Sequence, residues 1–292
     1  MRRLAAAVLT LVAVAGCSDS EPAAVGPTTT SVITTSTTVA PSTTVTTVAP
    51  TTTTTLTPQA TLAATLTTSE SAIRNPATPA AQLAAIGQAQ QQAYGTLVAH
   101  PEWDADVLAR VPAKLRSTVE ANVLAGRDLT ALNTPTPPGQ PRPRWHIVAP
   151  DPADQLVATY KAAGAAAGGV GWEYLAAIHL VETRMGRIKG DSTAGAQGPM
   201  QFIPSTWAIY GRGGDITSNH DAIHAAARFL RATGAPTDMA RALRAYNNSA
   251  RYVRAVTAYA KEMEGDERAY LGYHAWQVYY DGRLLPEGTV FE

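Results

Sequence analysis

Gly171-Trp172-Glu173-Tyr174-Leu175-Ala176-Ala177-Ile178-His179-Leu180-Val181-Glu182-Thr183-Arg184-Met185-Gly186 is the stretch whose reading decides the fold. Leu175, Ile178, Glu182 and Met185 follow a 3-4-3 spacing, so they share one face of a helix, with Gly186 as its stop. The carboxylate of Glu182 therefore stands in an apolar stripe. A carboxyl half-withdrawn from water has its charged form disfavoured, and its pKa rises toward the range where it can donate a proton near neutral pH. Two readings stay open at this point: a general acid, or a helix-end carboxylate paired with Arg184 or Arg187.

Upstream, residues 1–17 read as a basic start, Met1-Arg2-Arg3, an apolar run from Leu4 to Ala15, and Gly16-Cys17. The run falls short of the roughly 18 to 20 residues a membrane span needs, so it is read as an export signal. Cys17, the one cysteine of the chain, excludes an intramolecular disulfide. It closes Val14-Ala15-Gly16-Cys17, which resembles a bacterial lipobox, and that resemblance implies cleavage before Cys17 and its acylation. Each buried acyl methylene contributes about 0.8 kcal/mol, so several chains would anchor the protein stably. The expected location is the outer face of the cytoplasmic membrane, facing the cell wall.

Residues 18–68 are read as a Thr/Ser/Pro-rich tether, for no charge occurs between Glu21 and Glu70 and nothing there promises enough apolar burial to offset ordering entropy. About 45 such residues reach roughly 35 to 40 Å as a coil and up to about 140 Å in a polyproline II conformation. Residues 69–133 form a helical prefix, with one helix over 81–98 and a second carrying Leu108, Val111, Leu115, Val119 and Val123, interrupted near His100-Pro101. Residues 134–144 hold five prolines and act as a linker.

The main domain spans 145–265 and is almost entirely helical. Asp151-Pro152 opens a helix through Ala166; further helices cover 205–210, 221–233 with Gly234 as the stop, 237–246 and 249–263. In the extension 266–292, Trp276 to Tyr280 and Arg283 to Leu285 flank Asp281-Gly282, a pair suited to a two-residue hairpin turn. The fold class is mainly α with a small C-terminal β-hairpin.

Three segments stand together in order: Glu182-Thr183-Arg184, then Ala194-Gly195-Ala196-Gln197-Gly198-Pro199-Met200-Gln201-Phe202-Ile203-Pro204-Ser205-Thr206-Trp207, then Ala245-Tyr246-Asn247. In residues and spacing they resemble the lytic transglycosylases, most closely the membrane-bound lytic transglycosylase B-like family in its actinobacterial form. The resemblance covers roughly residues 145–263. It implies a goose-type-lysozyme-like helical domain that cleaves the β-1,4 bond between N-acetylmuramic acid and N-acetylglucosamine in peptidoglycan. Glu182 would be the single acid/base: it protonates the glycosidic oxygen, then takes the proton of the muramoyl C6 hydroxyl as that oxygen closes on C1. A 1,6-anhydro end results.

The residues themselves point the same way. A two-carboxylate glycosidase needs a second acid roughly 5 to 9.5 Å from the first. The candidates, Asp191, Asp215 and Asp221, each have a local job, in a loop, in a Gly-rich turn and as an N-cap. Gln201 can donate and accept in a sugar cleft, while Met200 and Phe202 offer apolar surface and Tyr210 a stacking face. The resemblance further implies Ser205 close to the acid, Tyr246 hydrogen-bonded near its carboxyl, and Asn247 on the carboxyl or the sugar. Each has a plainer reading: a helix start for Ser205, core for Tyr246 and Tyr210, a C-cap for Asn247, a satisfied amide for Gln201.

No cofactor or metal is expected. Tyr210-Gly211-Arg212-Gly213-Gly214-Asp215-Ile216 departs from the acid-rich loop of many relatives, offering one acid where a hard cation wants six to eight oxygens. His220 and His224 imitate a zinc helix but lack the Glu beside the first His. Twenty-three basic residues balance 23 acidic ones, which argues against a nucleic-acid partner. The partners expected are peptidoglycan strands and, through the anchor, the membrane. The competing readings are a muramidase on the same fold, or a non-catalytic wall-binding lipoprotein serving wall-synthesis or division proteins.

Overall fold

The computed structural model describes residues 56–132 and 144–291. The export signal, Cys17, most of the tether and all of the proline linker but Arg144 lie outside the described residues. The architecture is mainly helical with two small antiparallel sheets. Among the described residues no helix is long and apolar enough to cross a membrane.

The N-terminal helices are α1 (Pro58–Arg74), α2 (Ala80–Ala99), α3 (Asp104–Arg110) and α4 (Ala113–Thr130), with a short 3-10 turn at Pro101–Trp103. Two expectations need correction here. Residues 58–68, read as tether, are helical: Thr57 caps the first turn by accepting from the Ala60 amide at 3.2 Å, Pro58 sits in that turn, and Leu62, Leu66 and Ile73 are buried at helical spacing. Three apolar anchors in a threonine-rich run suffice once a packing partner covers them. The stripe from Leu108 to Val123 spans two helices, because Pro112 has no amide to donate and forces Val111 into an extended conformation.

The main domain holds α5 (Ala153–Ala166), α6 (Trp172–Thr183), α7 (Pro204–Tyr210), α8 (Asn219–Thr233), α9 (Met239–Tyr246), α10 (Ala250–Gly265) and α11 (Ala269–His274). α11 was not anticipated. Pro152 occupies the N-cap position of α5, which displaces Asp151 from that role, and Ser218, not Asp221, caps α8 by accepting the Asp221 amide at 3.3 Å. α6 lies at the centre, packed against α5, α8, α10 and α11. Every residue from Leu175 to Thr183 is buried, so the expected apolar stripe is in fact an entire circumference.

The prefix and the main domain share one hydrophobic core that runs from Leu62 to Trp276. α4 lies along α10, and α2 along α11. Each large side chain withdrawn there contributes about 1.5 to 3 kcal/mol, which stabilises the two parts as one body.

β1 (Trp145–Ile147) pairs antiparallel with both β2 (Ile188–Lys189) and β5 (Val290–Phe291), joining the start of the domain to the turn after α6 and to the C-terminal segment. β3 (Val278–Tyr280) and β4 (Arg283–Leu285) form the expected hairpin. Its turn residues, Asp281 and Gly282, both have positive φ, 47° and 75°, which matches the right-handed twist of the strands.

Candidate active site

The last turn of α6 carries Glu182 toward α10. Glu182 is 3% exposed, and its carboxyl accepts a hydrogen bond at Oε1 from the Tyr252 hydroxyl, 2.8 Å away. Burial disfavours the carboxylate and pushes the pKa up from 4.5 to about 8, the Tyr252 bond working against the rise. The ion-pair reading of Glu182 does not hold. Arg184 donates to the Leu180 carbonyl at 3.3 Å and Arg187 to the His274 carbonyl at 3.2 Å, both away from Glu182.

Tyr252 is fully buried, and its hydroxyl is held well above the ordinary phenol value by burial and by the neighbouring Glu182, so it stays a donor. The sequence reading passed it over. On α10 it belongs to an apolar run with Val256, Tyr259 and Met263 that reads as core. Tyr246 lies close enough to Glu182 for the carboxylate to help burial raise its hydroxyl pKa, but that hydroxyl donates to the Met200 carbonyl at 2.6 Å and not to the carboxyl. Its ring lies parallel to that of Tyr252, centroids 6.5 Å apart.

Thr183, next to the acid, is the second residue without a role in the sequence reading. Its buried hydroxyl donates to the Pro199 carbonyl at 2.6 Å and accepts the Gly186 amide at 3.1 Å, which ties the end of α6 to the Gly198–Phe202 turn. That turn is closed by reciprocal backbone bonds of 2.9 Å between Gln197 and Phe202. Gly198 takes φ +71°, and a Cβ there would stand 1.9 Å from the Ile216 carbonyl oxygen, so only glycine fits.

Gln201, also left-handed at φ 49°, is 6% exposed. Its Nε2 donates to the carbonyl of Gly198 at 2.9 Å, and Oε1 has no partner among the described residues. An unmade bond to a buried acceptor costs about 1 to 3 kcal/mol. Gln201, Phe202, Thr206, Phe229 and Tyr246 line one cleft.

The remaining candidates divide. Phe202 is wedged between Trp207 and Tyr246, centroids at 5.6 and 5.9 Å. Met200 is withdrawn from solvent altogether, so its side chain serves the core and offers a substrate no surface. Tyr210 is half-buried edge-on to Phe229 at 5.2 Å, and its carbonyl accepts from Arg228. Ser205 is exposed in the first turn of α7, behind Pro204. Asn247 is the buried C-cap of α9, its amide donating to Leu243 and its carbonyl accepting from Ser249.

The three other acids are engaged locally. Asp191 accepts from Gln197, Asp215 from Thr217, and Asp221 from the Asp215 amide and beside His220. Burial and Tyr252 account for the shift of Glu182, with no second carboxylate among its causes. His220 and His224 lie with rings 4.5 Å apart, and among the described residues no three His, Cys, Asp or Glu side chains gather as a metal site.

Comparison with known proteins adds an independent line. No curated protein and no solved structure matches the chain. Residues 159–269 match the family model of the transglycosylase SLT domain, a segment that contains Glu182, Gln201, Tyr246 and Tyr252. The match ties this segment to the lytic transglycosylase and lysozyme-like superfamily, supports a peptidoglycan-degrading function of the lytic transglycosylase type, and implies peptidoglycan as the substrate.

Proposed function

We propose that the protein is a lytic transglycosylase that cleaves the β-1,4 bond between N-acetylmuramic acid and N-acetylglucosamine, with Glu182 as its one acid/base. The observation that carries this reading is a glutamate 3% exposed, its carboxyl pushed up by burial to about 8 and bonded to a single tyrosine hydroxyl, inside a matched SLT segment. At neutral pH it is protonated. Because Tyr252 donates to Oε1, the acid proton resides on Oε2, from which it passes to the glycosidic oxygen as the C1–O bond breaks. The carboxylate so formed is stabilised by the Tyr252 hydrogen bond. It then takes the proton from the C6 hydroxyl of the same muramoyl residue while O6 bonds to C1, giving the 1,6-anhydro ring and restoring the acid. No water is consumed, and intramolecular attack supplies the proximity that a second carboxylate would otherwise have to provide.

The same reading takes Cys17 as a lipid attachment point and the Thr/Ser/Pro-rich residues 18–57, ahead of α1, as a tether, so that the domain works on the wall from the outer face of the cytoplasmic membrane. The likeness of the 194–207 block to the B-like family supports that subfamily. Mass analysis of the products from purified peptidoglycan tests the chemistry. Anhydro-muropeptides are expected from the wild type and lost in Glu182→Gln; hydrated reducing ends alone would identify a muramidase instead.

A further inference from the structure

The backbone after Glu182 is held in an unfavourable conformation. Arg184, Met185 and Gly186 have φ of 54°, 59° and 78°, a left-handed region that the two that are not glycine adopt only under constraint. Contacts from elsewhere must hold the turn. Met185 is fully buried, and Arg184 is 6% exposed. Among the described residues Arg184 has no carboxylate partner; its Nε makes no hydrogen bond. The guanidinium lies instead over the Trp276 indole, 5.5 Å from the ring centroid. Burial lowers its pKa to about 10, which still leaves a cation at neutral pH, and the electron-rich ring face is its counterpart.

The other edge of that indole belongs to the N-terminal helices. Trp276 Nε1 donates to Gln90 Oε1 at 3.0 Å, and Gln90 Nε2 donates to the buried Glu70 at 2.9 Å. Glu70 also accepts from Arg74 and Tyr94, so the chain of bonds ends on a satisfied carboxylate. Beside it, Gln91 and Gln277 exchange two bonds of 2.9 and 2.7 Å, which fixes the backbone next to the indole. One ring therefore has α2 at its N–H and the cation of the Arg184–Gly186 turn on its face.

We propose that Trp276 is a positioning residue through which α1 and α2 hold the turn that ends α6, and with it the Glu182 carboxyl. The proposal rests on Glu182 being the acid of the reaction above. It gives the N-terminal helices a part in catalysis although they bring no reacting group: they lock the indole, the indole seats Arg184, and Arg184 stands two residues from the acid. A misplaced acid loses transition-state contact while substrate binding, made by other groups, persists.

The experiment uses the full chain and glycan strands from purified peptidoglycan, with melting confirmed above the assay temperature for each variant. Trp276→Leu and Arg184→Met are expected to lower kcat by about ten-fold or more with KM within about two-fold, and Trp276→Phe, which keeps an aromatic face for Arg184 but loses the N–H that Gln90 holds, to fall in between, about three-fold below wild type. A folded Trp276→Leu or Arg184→Met with wild-type kcat overturns the proposal, as does a Trp276→Phe that equals either wild type or Trp276→Leu. Should Trp276→Leu fail to fold, Arg184→Met decides it by the same criterion. A wild type without activity on peptidoglycan strikes the functional reading itself, whereas an active wild type beside unaffected variants strikes this inference alone.

Discussion

Replacing Glu182 by Gln should abolish most activity and yet stabilise the protein, and the gain should depend on pH in a defined way. The carboxyl titrates near 4.5 when unfolded and near 8 when buried. Between those values the native chain keeps a proton that the unfolded chain has released, so the Glu182 contribution is fully present below pH 4.5 and is lost as pH rises toward 8. Glutamine does not titrate, has nearly the same shape, and its Oε1 can still accept from Tyr252. At about 1.4 kcal/mol per pH unit, the unfolding free energy of Glu182→Gln relative to wild type should climb from its pH 4 value by about 3 kcal/mol at pH 7 and about 4.5 kcal/mol at pH 9. For a domain of this size 3 kcal/mol corresponds to roughly 6 to 12 °C in Tm. Urea titrations of both proteins at several pH values read this directly, and every other titrating group cancels in the difference. A difference that stays flat from pH 4 to pH 7 would refute a buried, protonated Glu182. In parallel, turnover by the variant should fall by about 10² to 10⁴.

The acid must be protonated to act, so kcat/KM of the wild type should fall as pH rises through about 8, and an alkaline limb near 4 to 5 would contradict the geometry. Tyr252→Phe removes the one bond that favours the carboxylate; the limb should move to higher pH and turnover should drop, and an unmoved limb would dissociate Tyr252 from the acid. Gly198→Ala puts a Cβ against the Ile216 carbonyl at a left-handed position, and should cost about 2 kcal/mol or more in chemical denaturation; a neutral effect would mean the turn is softer than its contacts imply. Cys17→Ala should leave the domain catalytically competent but release it from the membrane fraction, and persistence there after fractionation would contradict the anchor.

Much of the helical layout was legible because its signals are local. Gly234 and the proline punctuation delimit helices, and Asp281-Gly282 announces a hairpin turn regardless of what packs on it, whereas α6 ends at Thr183 with Arg184 as its left-handed cap, ahead of the Gly186 read as its stop. The readings that failed also failed for local reasons. The threonine-rich composition around Leu62 and Leu66 masked a helix that forms once α2 lies beside it. β1, β2 and β5 are two or three residues long, too short for period-two alternation to show.

The site divides in the same manner. That Glu182 is an acid in apolar surroundings, that Gly198 begins a tight turn, and that Gln201 accompanies it follow from spacing and residue type alone. Which hydroxyl meets the carboxyl does not. Tyr246 and Tyr252 are both helix-borne tyrosines among apolar neighbours, yet one hydroxyl donates to the Met200 carbonyl and the other to Glu182. Likewise the contact of Trp276 with Arg184 joins residues that only the shared core brings together. Residue order determines the patterns that repeat within a few positions, since neighbours at i+3 and i+4 are set by helix geometry. Partners far apart in sequence are decided by how the buried faces interlock, and the pKa of Glu182 follows from that interlocking because burial is its largest cause.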